Sequence, residues 1–430
     1  MWRIAAPMIL SNISIPLVGI TDTVITGHLE NPEYLASIAV ATTIIGFFVA
    51  SMNFLRMGTT GITAQYFGAN NFNGFRTILG QTLLVAISIS FIVILLQNQI
   101  NQIGLFLIGS QESVAYYASQ YFYIRIWGIP ATLINFSLIG WFIGLQNGSA
   151  PLKMVIVTNI TNIILSLVFV LIFQMQIKGI ALASVIAEIL GMLIGFMYVH
   201  EELKIYQGQW ISKKILKLKE YKRFMQININ LFIRTLSLIF AFAFLTAQGA
   251  RYGGIVLGAN ALLMNFQNLL AYVLDGFAHA AEALVGKAVG KRDSKLFKST
   301  VSICLRWSIY IALIFTLFYI LLGDNLIYLI THHQNIRDMA MEYLPWMIVS
   351  PIVSVWSFLY DGVFIGATRS RDMRNAMLVS LLMIFLPSWY LLQPLGNHGL
   401  WLAFTLFMLS RGVTMHLLYR RIKLYQINKY

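Results

Sequence analysis

The chain has 430 residues, of which 58% are hydrophobic and 11% are charged, and its mean hydropathy is +0.74. A soluble core cannot bury that much apolar surface, so the composition excludes a soluble globular protein and indicates an integral membrane protein. The formal net charge of +14 fits a basic surface facing anionic lipid headgroups and does not require nucleic acid as a partner. A single cysteine, Cys304, excludes an intrachain disulfide and a cysteine-based metal site.

Apolar runs of membrane length recur along the whole chain and predict an all-α integral membrane protein with twelve transmembrane helices. In chain order, the predicted helices cover residues 4–27, 34–67, 75–98, 113–146, 151–174, 178–200, 223–248, 255–289, 297–322, 337–368, 373–393 and 398–419. The second, fourth, eighth and tenth are longer than a bilayer requires, so we expect them to be tilted or bent. Prolines that permit bends lie in or near helices, at Pro7, Pro16, Pro130, Pro345, Pro351 and Pro387.

One acid, Asp22, interrupts the first apolar segment near its far end. A charge at the centre of a membrane helix costs about 2.5 to 3.5 kcal/mol on insertion scales, so such a residue normally faces a cavity or a partner. Apolar surroundings favour the protonated acid, whereas a nearby cation favours the charged form, so a proton and a cationic substrate can exclude one another here. The alternative is a polar residue that only caps the end of the helix.

Basic residues are concentrated in the connections that follow even-numbered helices, within residues 203–223, 287–298 and 369–374. Short loops rich in Lys and Arg remain in the cytoplasm. The odd-numbered connections offer little beyond Lys178, Arg251 and Arg337. The pattern predicts a multi-pass protein of the cytoplasmic (inner) membrane with both termini in the cytoplasm.

The two halves of the sequence resemble one another when the chain is shifted by 222 positions. Phe142-Ile143-Gly144 then falls on Phe364-Ile365-Gly366, and Gly27, Gly68 and Tyr121 fall on Gly249, Gly290 and Tyr343. This repeat predicts two pseudo-symmetric six-helix lobes, residues 1–202 and 223–430, joined by a basic cytoplasmic linker, residues 203–222. Two such bundles favour a transporter, although a gene-duplicated channel would show the same repeat.

Several long stretches are similar to the multidrug and toxic compound extrusion (MATE) transporters, and within that family to the DinF-like branch. They are APMILSN (6–12), GITDTVITGHL (19–29), FLRMGTTGITAQ (54–65), LDGFAHAAEALVGKAVGKRD (274–293) and YDGVFIGATRSRDMRN (360–375). The resemblance covers essentially the whole chain. It implies a MATE/MOP-type antiporter that exports hydrophobic or cationic organic compounds by alternating access, in exchange for H⁺ or Na⁺.

By this resemblance, Asp22 matches the acid of the first helix that couples transport to an ion and interacts with substrate. Asn135, Asn159 and Asn162 resemble amides that line the first-lobe cavity, with interhelical hydrogen bonding as the alternative. Ser166 stands where many relatives carry a second acid, and the helix 7 acid of some Na⁺-coupled members has no counterpart here. Both departures favour H⁺ over Na⁺ as the coupling ion.

Other candidates follow from residue type and position. Tyr121 and Tyr123 lie beside the cavity helices and suit contact with flat cations, while Pro7 and Pro16 could let helix 1 bend. In the second lobe the candidates are Arg234, Asp275, Glu282 and Asp361. Their charges could hold substrate or ion, or could form an ion pair that only stabilises the lobe. The same two interpretations apply to Arg56 and Arg125, whereas Glu188 is expected to be a packing partner.

Catalytic and nucleotide-binding motifs are missing from the sequence, so we expect neither an enzyme nor an ATP-driven pump, with no cofactor or metal beyond the ion gradient. The expected partners are small cationic or amphipathic organic molecules and the lipid bilayer, and we expect a monomer. The alternative function is a flippase for lipid-linked oligosaccharides or similar precursors, which would need more cationic residues inside its cavity. A membrane-embedded transferase would need a clustered acid or histidine site, which the sequence does not offer.

Overall fold

The computed structural model describes residues 1–29, 31 and 33–428, with side chains as far as Ile422 in the last helix. Within these residues, twelve helices are long and apolar enough to span a membrane, which confirms the predicted all-α architecture. We number these spans 1 to 12: Trp2–Gly27, Glu33–Gly68, Phe72–Leu95, Glu112–Gly144, Ser149–Ile172, Gln176–Ile205, Leu218–Arg251, Gly254–Gly290, Ser294–Ile330, Gln334–Gly366, Ser370–Leu391 and Gln393–Ile422.

Two helices outside the spans were not predicted. Gln97–Ile108 follows span 3 and ends at Gly109, whose φ of 69° is left-handed. The short helix Ser212–Leu216 lies in the connection between spans 6 and 7. Span 9 is also longer than its predicted range of 297–322. The prediction ended at the polar residues 323–325, but the helix continues through them into the apolar residues 326–330.

Several spans are not regular α-helices from end to end. Span 2 is broken between the helices Glu33–Ser51 and Phe54–Gly68, and span 4 contains a 3₁₀ turn at Ile126–Gly128. Spans 5 and 11 contain π-helical stretches, Val168–Ile172 and Ser380–Phe385. Wider turns of this kind are frequent at functional sites and shift the register of the helix that follows.

The long spans 8 and 10 have no such interruption. Span 8 is a single α-helix of 37 residues. Span 10 remains α-helical over 33 residues even though it includes Pro345 and Pro351. The second and fourth helices, which were expected to be tilted or bent, contain breaks in the backbone, and the eighth and tenth, of which the same was expected, are continuous.

The chain divides into two compact units. One contains residues 10–224 and is called the N-terminal unit here, and the other contains residues 1–9 and 225–430 and is called the C-terminal unit. The predicted lobes differ from these units at two places: residues 1–9 group with the second half, and residues 203–224, which include the predicted linker, group with the first.

The two units repeat one another in backbone detail. Asn70 and Arg292, which are 222 positions apart, both adopt left-handed φ angles, of 52° and 56°. Gln146 and Thr368 are also 222 positions apart and have φ angles of 65° and 53°. Non-glycine residues rarely adopt this conformation, so its recurrence at matched positions shows that the connections after the second and fourth helix of each half have the same geometry.

Close helix crossings are repeated at the same offset. A Cβ atom on Gly140 of span 4 would lie 2.4 Å from the carbonyl oxygen of Arg56, and one on Gly362 of span 10 would lie 2.3 Å from that of Ala278. The second and fourth helices of each half therefore touch backbone to backbone, which requires glycine and is typical of helix packing in membranes. The crossings fix span 4 against span 2 and span 10 against span 8.

Candidate functional site

The carboxylate of Asp22 lies within the N-terminal unit, near the far end of span 1. Its Oδ1 accepts a long hydrogen bond of 3.5 Å from the hydroxyl of Ser166 on span 5. The backbone oxygen of Asp22 accepts a separate hydrogen bond of 2.5 Å from Thr26 Oγ1, and this bond does not involve the carboxylate. The side chain of Asp22 is partly buried, and the long bond to Ser166 is its hydrogen bond. Within the described part of the chain, Asp22 forms no ion pair.

A neighbouring cation is already neutralised by another acid. Arg125 Nη2 of span 4 lies 2.6 Å from Glu188 Oε1 of span 6, and the hydroxyl of Thr132 donates to the other oxygen of Glu188. Arg125 also interacts electrostatically with Asp22 and with the hydroxyl of Tyr121. Glu188 is thus an ion-pair partner as well as a packing residue, and it leaves Asp22 without a dedicated counter-ion.

The three candidate amides connect helices around this acid. Asn159 donates to Ser14 Oγ of span 1 at 2.8 Å, and Asn162 donates to Ser184 Oγ of span 6 at 2.9 Å. A third bond runs from Asn135 to the backbone oxygen of Glu188, at 3.0 Å. None of these bonds reaches the Asp22 carboxylate. The amide N–H groups of the three residues form bonds between helices. The buried Oδ1 atoms of Asn135 and Asn162 have no partner among the described residues and are available to accept a hydrogen bond.

The two candidate tyrosines have different surroundings. Tyr121 is buried beside Arg125 and Ser184, whereas Tyr123, two residues further along the helix, is 37% exposed. The structure therefore places Tyr121 with the group around Asp22 and Tyr123 on the surface of the unit. Span 1 remains α-helical through Pro7 and Pro16, and the proposed bending at these prolines stays a prediction.

A second charged cluster lies in the C-terminal unit. Asp361 Oδ2 of span 10 forms ion pairs with Arg234 of span 7 and with Arg411 of span 12, whose Nη2 lies 2.9 Å away. All three side chains are buried. Asp275 interacts electrostatically with Arg411, and neither Asp275 nor Glu282 belongs to these ion pairs. The predicted pair between Arg234 and an acid is therefore present, and it includes a second arginine.

Arg411 was not among the sequence candidates. The available signal was a lone arginine in the apolar run FTLFMLSRGVTM of the last helix, because an isolated charge at membrane depth normally has a partner. The structure shows that partner to be Asp361. Two guanidinium groups stabilise the charge of this carboxylate, so the cluster fixes spans 7, 10 and 12 to one another.

The two acids are thus held in opposite ways. Asp361 is buried between two cations, while Asp22 is partly open and bonded only to a hydroxyl. An acid without a counter-ion can accept a proton or an organic cation at low cost, because no existing ion pair has to break. The residues that the structure describes contain no group of three or more His, Cys, Asp or Glu side chains placed to hold a metal ion.

Comparisons with known proteins agree along the whole chain. The family model MatE matches residues 7–168 and 231–391, once in each half. The DNA damage-inducible protein F of Escherichia coli (strain K12) is 40% identical over 429 residues, which cover 98% of this chain and 92% of that protein. The human multidrug and toxin extrusion protein 1 is 22% identical over 402 residues, covering 93% of this chain and 70% of that protein.

The same architecture is found in solved structures. The crystal structure of a MATE protein in complex with MaD3S matches this chain with a TM-score of 0.90, over 99% of this chain and 95% of the other. The sequence identity in that comparison is 17%. Similarity at this level shows a common fold, and the family match in each half agrees with the repeat that the backbone displays.

Proposed function

The chain belongs to the MATE family of multidrug and toxic compound extrusion transporters, which are membrane transporters and not enzymes, and on this basis we propose that it is a proton-coupled antiporter. Its proposed substrates are hydrophobic or cationic organic compounds, exported across the cytoplasmic membrane by alternating access. Asp22 is the coupling residue in this proposal.

One observation carries the proposal. The Asp22 carboxylate has no ion-pair partner among the described residues, while the nearby Arg125 is neutralised by Glu188 and the buried Asp361 is neutralised by two arginines. The side chain of Asp22 is therefore partly exposed, and its negative charge, when ionised, is not balanced by an ion-pair partner. Such a group attracts an organic cation when it is ionised and releases the cation when it is protonated.

The proposed cycle needs two states of Asp22. In the inward-open state the ionised acid binds a cationic substrate from the cytoplasm, with the aromatic ring of Tyr121 close by. In the outward-open state a proton from outside neutralises Asp22, so the substrate loses its electrostatic partner and leaves. Pro16 lies six residues before Asp22, where a missing backbone hydrogen bond allows span 1 to bend between the two states.

Protons suit this site better than Na⁺. Sodium ions are bound by several oxygen ligands, and carboxylates are the strongest of those that proteins supply. Asp22 is accompanied by Ser166 instead of a second acid. One carboxylate and one hydroxyl are sufficient to exchange a proton, and they form an incomplete site for a metal cation.

The proposal extends to location and partners. The chain is a multi-pass membrane protein, and we place it in the cytoplasmic membrane with both termini inside, as a monomer that requires no nucleic acid and no cofactor beyond the ion gradient. The human relative is named for multidrug and toxin extrusion, which supports a broad organic substrate range for this chain. The lipid-linked oligosaccharide flippase is not favoured, because Arg125, the cation beside Asp22, is already paired with Glu188.

The test is the substitution Asp22→Asn, which keeps the size and polarity of the side chain and removes its charge and its proton exchange. We expect efflux of ethidium or rhodamine from expressing cells to fall to the level of cells without the protein, while the amount in the membrane is unchanged. Asp338→Asn, at an exposed position near the start of span 10, removes the same charge and should leave efflux intact. Full efflux by Asp22→Asn would contradict the proposal.

A further inference from the structure

The connection between spans 6 and 7 is fixed to the beginning of span 3. Arg76 Nη2 donates to the carbonyl oxygens of Leu203 and Tyr206, at 2.6 and 2.7 Å. Asn73 Oδ1 accepts a bond of 2.6 Å from the backbone N–H of Gln209. The two Arg76 bonds satisfy carbonyl groups at the C-terminal end of span 6, and the Asn73 bond satisfies a backbone N–H just beyond it. Together they hold the chain on a defined path as it leaves span 6.

The attachment continues along the connection. Gln81 Nε2 donates to the carbonyl oxygen of Lys214 at 3.0 Å, and the hydroxyl of Tyr221 donates to that of Ile215 at 2.6 Å. A Cβ atom on Gly80 would lie only 2.9 Å from Ile215 Cδ1, so this side chain packs directly on the backbone of span 3. The connection is therefore a docked part of the N-terminal unit.

The docked connection presents an unusual surface outward. Trp210 is 45% exposed, Leu216 is 73% exposed and Leu218 is 86% exposed. Residues 203–222 also contain six lysines and one glutamate. Large apolar side chains are thus exposed among closely spaced positive charges, on a segment whose polar backbone is bonded to span 3.

The position of the segment identifies what covers this surface. Span 6 ends at Ile205 and span 7 begins at Leu218, so we expect the connection between two apolar spans to lie at the level where the hydrocarbon layer ends and the headgroups begin. Trp is enriched at this level, and Lys can bury its aliphatic stem while its ammonium group reaches the headgroups. Lysines near an anionic leaflet gain electrostatic attraction from acidic lipids.

We propose that the segment 203–222 is a membrane-surface anchor that binds acidic phospholipid headgroups. Trp210, Leu216 and Leu218 enter the interfacial layer, and the lysines between and beside them contact lipid phosphates. Charge complementarity and continuity with two membrane spans favour lipid over an acidic protein partner, because the bilayer surface is always adjacent. The anchor is independent of which ion or substrate the transporter uses.

The test measures how deeply the segment enters the bilayer. The full-length protein carrying Cys304→Ser and Leu216→Cys is spin-labelled at the new cysteine and reconstituted into vesicles of phosphatidylcholine alone or with phosphatidylglycerol. Collision rates with oxygen and with a water-soluble nickel chelate report the depth of the label. We expect the label to be shielded from the chelate in the acidic vesicles and exposed in the neutral ones. About 1 M NaCl should reverse the difference, because the Debye length then falls to about 3 Å.

Two sets of lysine variants test whether the shielding of the label depends on the lysines of this segment. The change of Lys213, Lys217 and Lys219 to Gln should abolish the shielding, since each lysine near an acidic surface contributes roughly five-fold to association. The change of Lys291, Lys295 and Lys298 to Gln removes the same charge between spans 8 and 9 and should leave it intact. Equal exposure in both kinds of vesicle, or equal loss in both variants, would overturn the proposal. Shielding of the label that depends on neither lipid charge nor lysine would also overturn it. Shielding that depends on both, in vesicles that contain no other protein, supports lipid and excludes a protein partner.

Discussion

At the scale of single residues, the two half-molecules use their acids differently. Asp361 contacts two arginines, so removing its charge would leave buried cations without a partner. Asp22 has only the hydroxyl of Ser166 nearby, and its charge can change without breaking an ion pair. This difference supports the proposed coupling role of Asp22 and predicts a structural role for Asp361.

Ser166 provides a way to change the coupling ion. Ser166→Asp places a second carboxylate next to Asp22 and supplies additional oxygen ligands for a cation. We expect dye transport in proteoliposomes to become stimulated several-fold by an inward Na⁺ gradient, whereas the unaltered protein responds to a pH gradient alone. The measurement compares Na⁺ with K⁺ at equal pH on both sides.

Ser166→Asn is the matched control for that experiment, because it has the same size as Asp but no charge. It should remain insensitive to Na⁺. A strong response of the unaltered protein to Na⁺ would show that one carboxylate suffices for a sodium site, which would remove the argument for protons.

The sequence identified most of the charged residues in the two clusters, and it predicted that Arg234 pairs with an acid, but it did not predict which acid or the other pairings. Asp22 and Asp361 are conspicuous because acids are rare in apolar segments. Arg411 lies 50 positions from Asp361, and Arg125 lies 63 positions from Glu188. Nothing in local sequence determines which of several distant acids an arginine reaches, because this depends on how the helices pack.

At the scale of helices, close crossings fix spans 4 and 10, which carry Arg125 and Asp361. Gly140 and Gly362 allow the second and fourth helices of each half to touch along their backbones. Arg56, next to the first crossing, is buried on span 2, so the crossing also determines where charged side chains can lie. Shape complementarity of this kind replaces the hydrophobic effect, which does not drive helices together within lipid.

Adding a methyl group at either crossing should be costly. Gly140→Ala and Gly362→Ala place a Cβ atom at 2.4 and 2.3 Å from a carbonyl oxygen, so the helices must separate. We expect a loss of about 1 to 3 kcal/mol in stability, as is usual for overpacking. Thermal unfolding of the detergent-solubilised protein, followed by size-exclusion chromatography, measures this.

Gly46→Ala is the control, because a Cβ atom at this position has no neighbour within 4 Å. It should leave the melting temperature unchanged or raise it, since alanine favours a helix by up to about 1 kcal/mol over glycine. If all three variants melted alike, the crossings would have no special role in packing.

Hydropathy predicted the existence of the spans and their limits to within about five residues, except at the C-terminal end of span 9, since membrane thickness sets the length of most apolar runs. It did not predict the break at residues 52–53 or the π-helical stretches in spans 5 and 11. These features change which backbone groups bond to one another, while the apolar character of the segment stays the same. A hydropathy pattern contains no information about such a change.

At the scale of the whole molecule, the internal repeat was the strongest prediction. The offset of 222 found in the sequence recurs in left-handed φ angles and in the glycine crossings. It also recurs in helix caps, since Asn71 and Asp293 each accept a bond from the backbone three residues later. Side chains at the two charged sites have diverged, whereas backbone geometry has been kept in both halves.

An even number of spans in each half means that both halves enter the membrane from the same side, and we propose from the basic connections that this side is the cytoplasm. This predicts that a cysteine replacing Ser212, between spans 6 and 7, is protected from a membrane-impermeant maleimide in intact cells. A cysteine replacing His332, between spans 9 and 10, should be labelled. Both proteins carry Cys304→Ser, and both should be labelled after permeabilisation because both positions are exposed. Labelling of the Ser212 position in intact cells would reverse the orientation, and protons would then have to reach Asp22 from the opposite side.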